Sequence, residues 1–162
     1  IMCQRVFAGT LSADFLKAKV MLANGLGAGS RPFTSVDLGR PGHYKIFIGP
    51  GAFDAGTVTT IGYKGTFVHE MTHVWQMHNS WFGAVWAGSL VSQACRQGNA
   101  YLYGEGNLKK PWDSFGVEEQ AQIVEDWFKN GLESTDPRFH YIRDNIRKGS
   151  TGFVGDLSSG LA

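Results

Sequence analysis

The stretch "FVHEMTHVWQMHNS", Phe67 to Ser80, carries three of the five histidines in a chain of 162 residues. His69 and His73 stand four apart, and Glu70 follows the first. Positions four apart share one face of an α-helix, about one turn of rise from each other. Two imidazoles so placed can bind one metal ion, each nitrogen at roughly 2.0–2.1 Å. Glu70 is rotated away from that face, where it misses the metal but reaches a water bound to it. This is the His-Glu-x-x-His pattern of zinc hydrolases, in which zinc (Zn2+) lowers the pKa of its water to about 7 and the carboxylate takes the proton. The competing reading is two core histidines satisfied by hydrogen bonds beside a solvated glutamate. Val68, Met71, Val74 and Trp75 give the helix an apolar back. The pattern therefore calls for a buried helix whose histidines open onto a cleft.

Zinc in a catalytic site usually takes a third protein ligand. His78 lies nine residues after His69, and a solvated helix end explains it better than ligation. A metzincin would place its third histidine ten residues after the first, with a glycine between. Here Asn79 and Gln76 occupy those positions. The stronger candidate is Glu118, at the head of "EEQAQ" and 49 residues after His69. Ala121, one turn further, lets two helices approach closely. Glu119 points about 100° away and Glu125 lies two turns on. Both stay open as alternatives, because acidic residues also gather at helix N-termini to meet the macrodipole. Trp127, nine residues past Glu118, falls on the opposite face. It and Asp126 are expected to act structurally, holding the Glu118 helix against the zinc helix.

Around these motifs the chain reads as strands followed by helices, an α+β domain. "HYKIFIGP", residues 43–50, alternates between Pro-Gly and Gly-Pro-Gly and reads as a strand. Residues 57–63 are β-branched and fit a short strand or a loop. Residues 17–23 either extend a helix begun at Ser12 or form a strand. Helices are expected over 66–78, 85–97, 117–132 and 137–148. "GLGAGS" lacks the Gly-Lys-Ser/Thr ending of a phosphate loop.

A net charge of +1 gives no case for nucleic acid or an anionic membrane as partner. No apolar run reaches the ~18 residues of a membrane span. The chain begins at Ile1, without the order of a signal peptide, and is expected to be one domain, residues 1–162, excised from a longer protein. Cys3 and Cys95 have no spaced partners for a zinc knuckle, and free buried thiols are the favoured reading.

"HEMTHVWQ" followed by "YLYGEGNLKKPWDSFGVEEQAQIVEDWF" resembles zincin-like metallopeptidase domains of bacterial type VI secretion and Rhs-type toxins. The likeness is greatest to the C-terminal metallopeptidase extensions of VgrG spike proteins, and Glu118 with Ala121 resembles the third-ligand helix of gluzincins. The resemblance covers residues 60–130 well and the front half loosely. It implies a zincin-like fold, with a small N-terminal sheet before a helical half that carries both ligand helices. It implies His69, His73 and Glu118 as zinc ligands, Glu70 as base, and a strand at 17–23. It further implies an exported effector that cleaves protein or peptide, delivered to a competitor's periplasm or a host, with a cognate immunity protein as partner.

Attack on a peptide carbonyl builds an oxyanion that needs a second donor besides the metal. Tyr141 is the candidate, with His140, Tyr101 and Tyr103 as alternatives. The strand at 43–50 is expected to offer its edge to an extended peptide. Two rival functions are a zinc hydrolase of another amide, such as a peptidoglycan cross-link, and a non-catalytic binding module whose structural zinc has four protein ligands.

Overall fold

The structure is a computed structural model that describes residues 2–54, 61–80 and 103–152. In chain order its elements are α1 (Met2–Phe7), α2 (Ala13–Lys19), β1 (Val20–Ala23), β2 (Phe33–Val36), β3 (Tyr44–Phe47), α3 (Pro50–Asp54), α4 (Ile61–Asn79), α5 (Val117–Lys129) and α6 (Phe139–Asp144). The fold is thus mixed α and β, with a small three-stranded sheet ahead of the long helices.

The sheet runs in the order β1–β3–β2. β1 lies parallel to β3, and β2 antiparallel to it. A turn closes the β2–β3 hairpin, where the Asp37 N–H donates to the His43 carbonyl at 2.8 Å. Alternation along β3 buries Tyr44 and Ile46, as a strand with one covered face should. The expected strand is therefore present, but it is central. Both its edges are paired, so it cannot take up a further strand. Among the described residues the outer strands are β1 and β2.

Residues 17–23 hold both of the expected alternatives. The Ser12 hydroxyl caps α2 by accepting from the Phe15 N–H at 3.1 Å, and at Val20 the backbone turns extended and enters β1. Residues 61–63 form the first turn of α4 rather than a strand, while 57–60 lie outside the described residues. The helix expected over 85–97 and Cys95 lie outside them as well. Residues 137–148 split into α6 and a 3-10 turn, Ile146–Lys148.

Helix α4 is buried without a break from Val68 to Met77. A helix covered all round sits inside its domain. Its main partner is α5. Two small residues let them close: Ala121 is fully buried on α5, and a methyl at Gly65 of α4 would collide with the Lys129 side chain. Trp75 anchors α4 to the C-terminal turn, donating from Nε1 to the Ile146 carbonyl at 3.0 Å. Cys3 is a free buried thiol, and burial pushes its pKa up to about 11.

Trp127 is buried, stacks on Phe139 and donates from Nε1 to the Glu133 carbonyl at 2.9 Å. Asp126 accepts from the Tyr103 hydroxyl at 2.8 Å and from Gln122 at 2.8 Å. Both residues therefore brace α5. Trp127→Ala should lower unfolding free energy by ~3–5 kcal/mol, as deletion of a large buried aromatic does. Denaturant unfolding reads it, and an unchanged midpoint would show that this face carries no stability.

Candidate metal centre

His69 and His73 project from α4 toward α5, their ring centroids 5.0 Å apart and nearly perpendicular. The Glu118 carboxylate of α5 lies against both. One oxygen is 3.1 Å from His69 Nε2 and the other 3.4 Å from His73 Nε2. One ligand atom from each residue falls within 4.8 Å of the others. All three side chains are buried. Two imidazole nitrogens and one carboxylate oxygen, drawn from two helices, make a donor set suited to zinc. Among the described residues no fourth His, Cys, Asp or Glu joins this group.

The neighbouring glutamates are sorted by the turn of α5. Glu119 is occupied at the helix start, where it accepts from the Gly116 N–H at 2.8 Å. Glu125 lies on the same face as Glu118, two turns on. Its Oε2 is 3.1 Å from His69 Nδ1, and its other oxygen pairs with Lys129. Glu125 thus stands behind His69 rather than within the group of His69, His73 and Glu118, a place from which a carboxylate can orient an imidazole.

Glu70 is buried beside the cluster. Its Oε2 accepts from the Thr34 hydroxyl of β2 at 2.7 Å, and the same hydroxyl lies 3.0 Å from the Glu70 carbonyl. Thr34 thereby fixes the carboxylate's position. A cleft of about 230 Å³ opens here, lined by Arg31, Pro32, Thr66, His69, Glu70, Gln122 and Glu125.

Burial opposes protonation of His69, but the Glu118 and Glu125 carboxylates, each 3.1 Å from a ring nitrogen, and the charge of Glu70 outweigh it. They lift its pKa from 6.5 to about 10. His73 is also buried, and Glu118 raises it in the same way. Burial likewise opposes ionisation of Glu118, yet the charge of His73 and the hydrogen bond from His69 hold its carboxyl well below the usual carboxylate range.

The structure brings His69, Glu70, His73 and Glu118 together. It does not bring Tyr141 to them. Tyr141 is buried against Trp112 and Phe115, and its hydroxyl donates to the Lys110 carbonyl at 2.7 Å. Tyr141 is absent from the cleft lining, and its geometry is that of a packing residue. Tyr103 is engaged with Asp126, and His140 Nδ1 lies 2.7 Å from the Pro137 carbonyl. Tyr101 lies outside the described residues. His78 packs on Phe15 with ring centroids 4.2 Å apart. Thr34 and Arg31 were not legible in the sequence, since nothing in "RPFTSV" marks a partner 36 residues away.

An alignment of 95 residues gives 32% identity to the type VI secretion system spike protein VgrG2b of Pseudomonas aeruginosa. It spans 53% of this chain and 9% of that protein. No family model matches the chain, and no solved structure does.

The raised histidines give the metal-stripped protein a pH signature. A group whose folded pKa exceeds its unfolded value stabilises fully below the unfolded value, and the gain is lost as pH rises through the folded one. For His69 that window runs from 6.5 to about 10, and His73 acts in the same direction. The denaturation midpoint of stripped protein should therefore fall between pH 6.5 and 8.5. This range lies below the ordinary pKa values of 9.0 for cysteine and 10.0 for tyrosine. A flat midpoint would contradict the buried ion pairs.

Proposed function

We propose that the chain is a zinc-dependent peptidase domain with a zincin-like active site, acting as an effector exported by type VI secretion. One observation carries the reading: His69, His73 and Glu118 converge within 4.8 Å, with the Glu70 carboxylate beside them at a cleft. The partial likeness to a type VI spike protein supports the secretion half of the proposal.

In this reading His69 and His73 would hold the ion through Nε2 and Glu118 through its carboxylate. Zinc, when bound, would supply Lewis acidity and lower the pKa of a water held by it. Glu70 is the general base: it takes the water's proton and returns it to the leaving nitrogen. Thr34 holds that carboxylate by one oxygen, so the base does not have to be ordered during the reaction. Glu125, its Oε2 3.1 Å from Nδ1, backs His69 with a carboxylate.

The peptide is placed along β2, in place of the strand expected over 43–50. β2 is an outer strand among the described residues, carries Thr34, and continues from Arg31 and Pro32 at the cleft. Strand addition there would supply main-chain hydrogen bonds without demanding a particular side chain.

Base and ligands separate by mutation. Glu70→Ala should keep zinc and lose ~10²–10⁴-fold in turnover of casein. Glu118→Ala should lose both, and Glu119→Ala neither. Elemental analysis and turnover on the same preparations read this. Full activity in Glu70→Ala would remove the mechanism, and loss of zinc there would make Glu70 a ligand.

A further inference from the structure

His73 differs from His69 in what lies behind it. Its Nδ1 meets an amide, Gln76 Oε1, at 2.8 Å. Gln76 Nε2 donates to the Val117 carbonyl at 3.0 Å and to Gln120 Oε1 at 3.0 Å. Gln120 Nε2 donates in turn to the Trp112 carbonyl at 3.0 Å. His73, Gln76 and Gln120 are all buried, so water does not offer replacement partners.

The direction of this chain follows from its ends. An amide can be turned either way, and its partners decide which end is oxygen. The Trp112 and Val117 carbonyls can only accept. Gln120 must therefore present its NH2 to Trp112, which leaves its oxygen facing Gln76. Gln76 must present its NH2 both to that oxygen and to Val117. Two independent acceptors thus impose one orientation on Gln76. Its oxygen is left facing His73, and that oxygen can only accept.

We infer that Gln76 and Gln120 form a directional relay that holds the proton of His73 on Nδ1 and so presents its Nε2 to the metal. Both are positioning residues: neither offers a ligand atom to the group formed by His69, His73 and Glu118. The relay also ties the two ligand helices, because Gln76 belongs to α4 and Gln120 to α5, two residues from Glu118. The inference rests on the zinc reading above.

The test is zinc affinity, measured by chelator competition, with melting temperature recorded alongside. Gln76→Leu should weaken zinc binding about 10–100-fold, the usual effect of losing a partner behind a ligand. Gln76→Glu keeps an acceptor for Nδ1–H and should recover most of that loss, even where its melting temperature is no higher than that of Gln76→Leu. A purely structural role would make affinity follow melting temperature across the two variants. A second measurement needs no variant. Nitrogen-15 spectra of zinc-loaded wild-type protein should show His73 Nδ1 bearing the proton and Nε2 bound to metal. Coordination through Nδ1, or Gln76→Leu with wild-type affinity, would overturn the relay and leave the zinc site standing. Wild-type protein that takes up no zinc would overturn both.

Discussion

Glu118 lies between two buried imidazoles, and the packing of α4 on α5 depends on that contact. Burial of ionised groups is costly unless each is paired, and removing one member of such a set leaves an uncompensated charge. Helix α4 carries five polar side chains, His69, Glu70, Thr72, His73 and Gln76, through a wholly buried stretch. Each finds a partner: Thr72 returns to the Val68 carbonyl, Glu70 meets Thr34, and Gln76 meets Gln120. The histidines meet Glu118. A central helix with this composition is tolerated only where the facing helix supplies carboxylates and amides in register.

That register explains the architecture around it. Gly65 and Ala121 keep the helices close enough for the Glu118 side chain to reach both rings. Trp127 and Asp126, on the other side of α5, tie that helix to α6 and to the Tyr103 segment, so α5 cannot rotate freely. On the opposite flank of α4, the hairpin brings Thr34 to Glu70. Charged α5 residues thus hold the histidines, while the sheet holds the glutamate between them in sequence. His69, Glu70 and His73 come from one helix, but different elements fix their orientations.

Much of the helical half was legible in the sequence. A polar pair at four-residue spacing on an apolar back, and a glutamate followed by alanine one turn on, both announce a helix and its facing side. Spacing alone leaves Glu119 and Glu125 open beside Glu118, and the likeness to a gluzincin ligand helix favours Glu118; the contacts with His69 and His73 place Glu118 nearest both rings. Other features depend on contacts that sequence proximity does not encode. Alternation in "YKIF" reports a half-buried strand but not how many neighbours it has, so its central place was missed. The first turn of α4 follows β-branched residues, and local preference there points away from helix. Tyr141 carries the chemistry of an oxyanion donor, but the Lys110 carbonyl claims its hydroxyl. Gln76 stood in the sequence only as the residue where a metzincin glycine would be, and its role appears once Val117 and Gln120 are seen beside it.

A single metal centre built from His69, His73 and Glu118 is tested most directly by X-ray absorption of zinc-loaded protein. One zinc per chain should appear, with a nitrogen and oxygen shell at roughly 2.0–2.2 Å and the outer-ring signature of two imidazoles. A sulfur shell near ~2.3 Å, or a spectrum with no imidazole contribution, would contradict it.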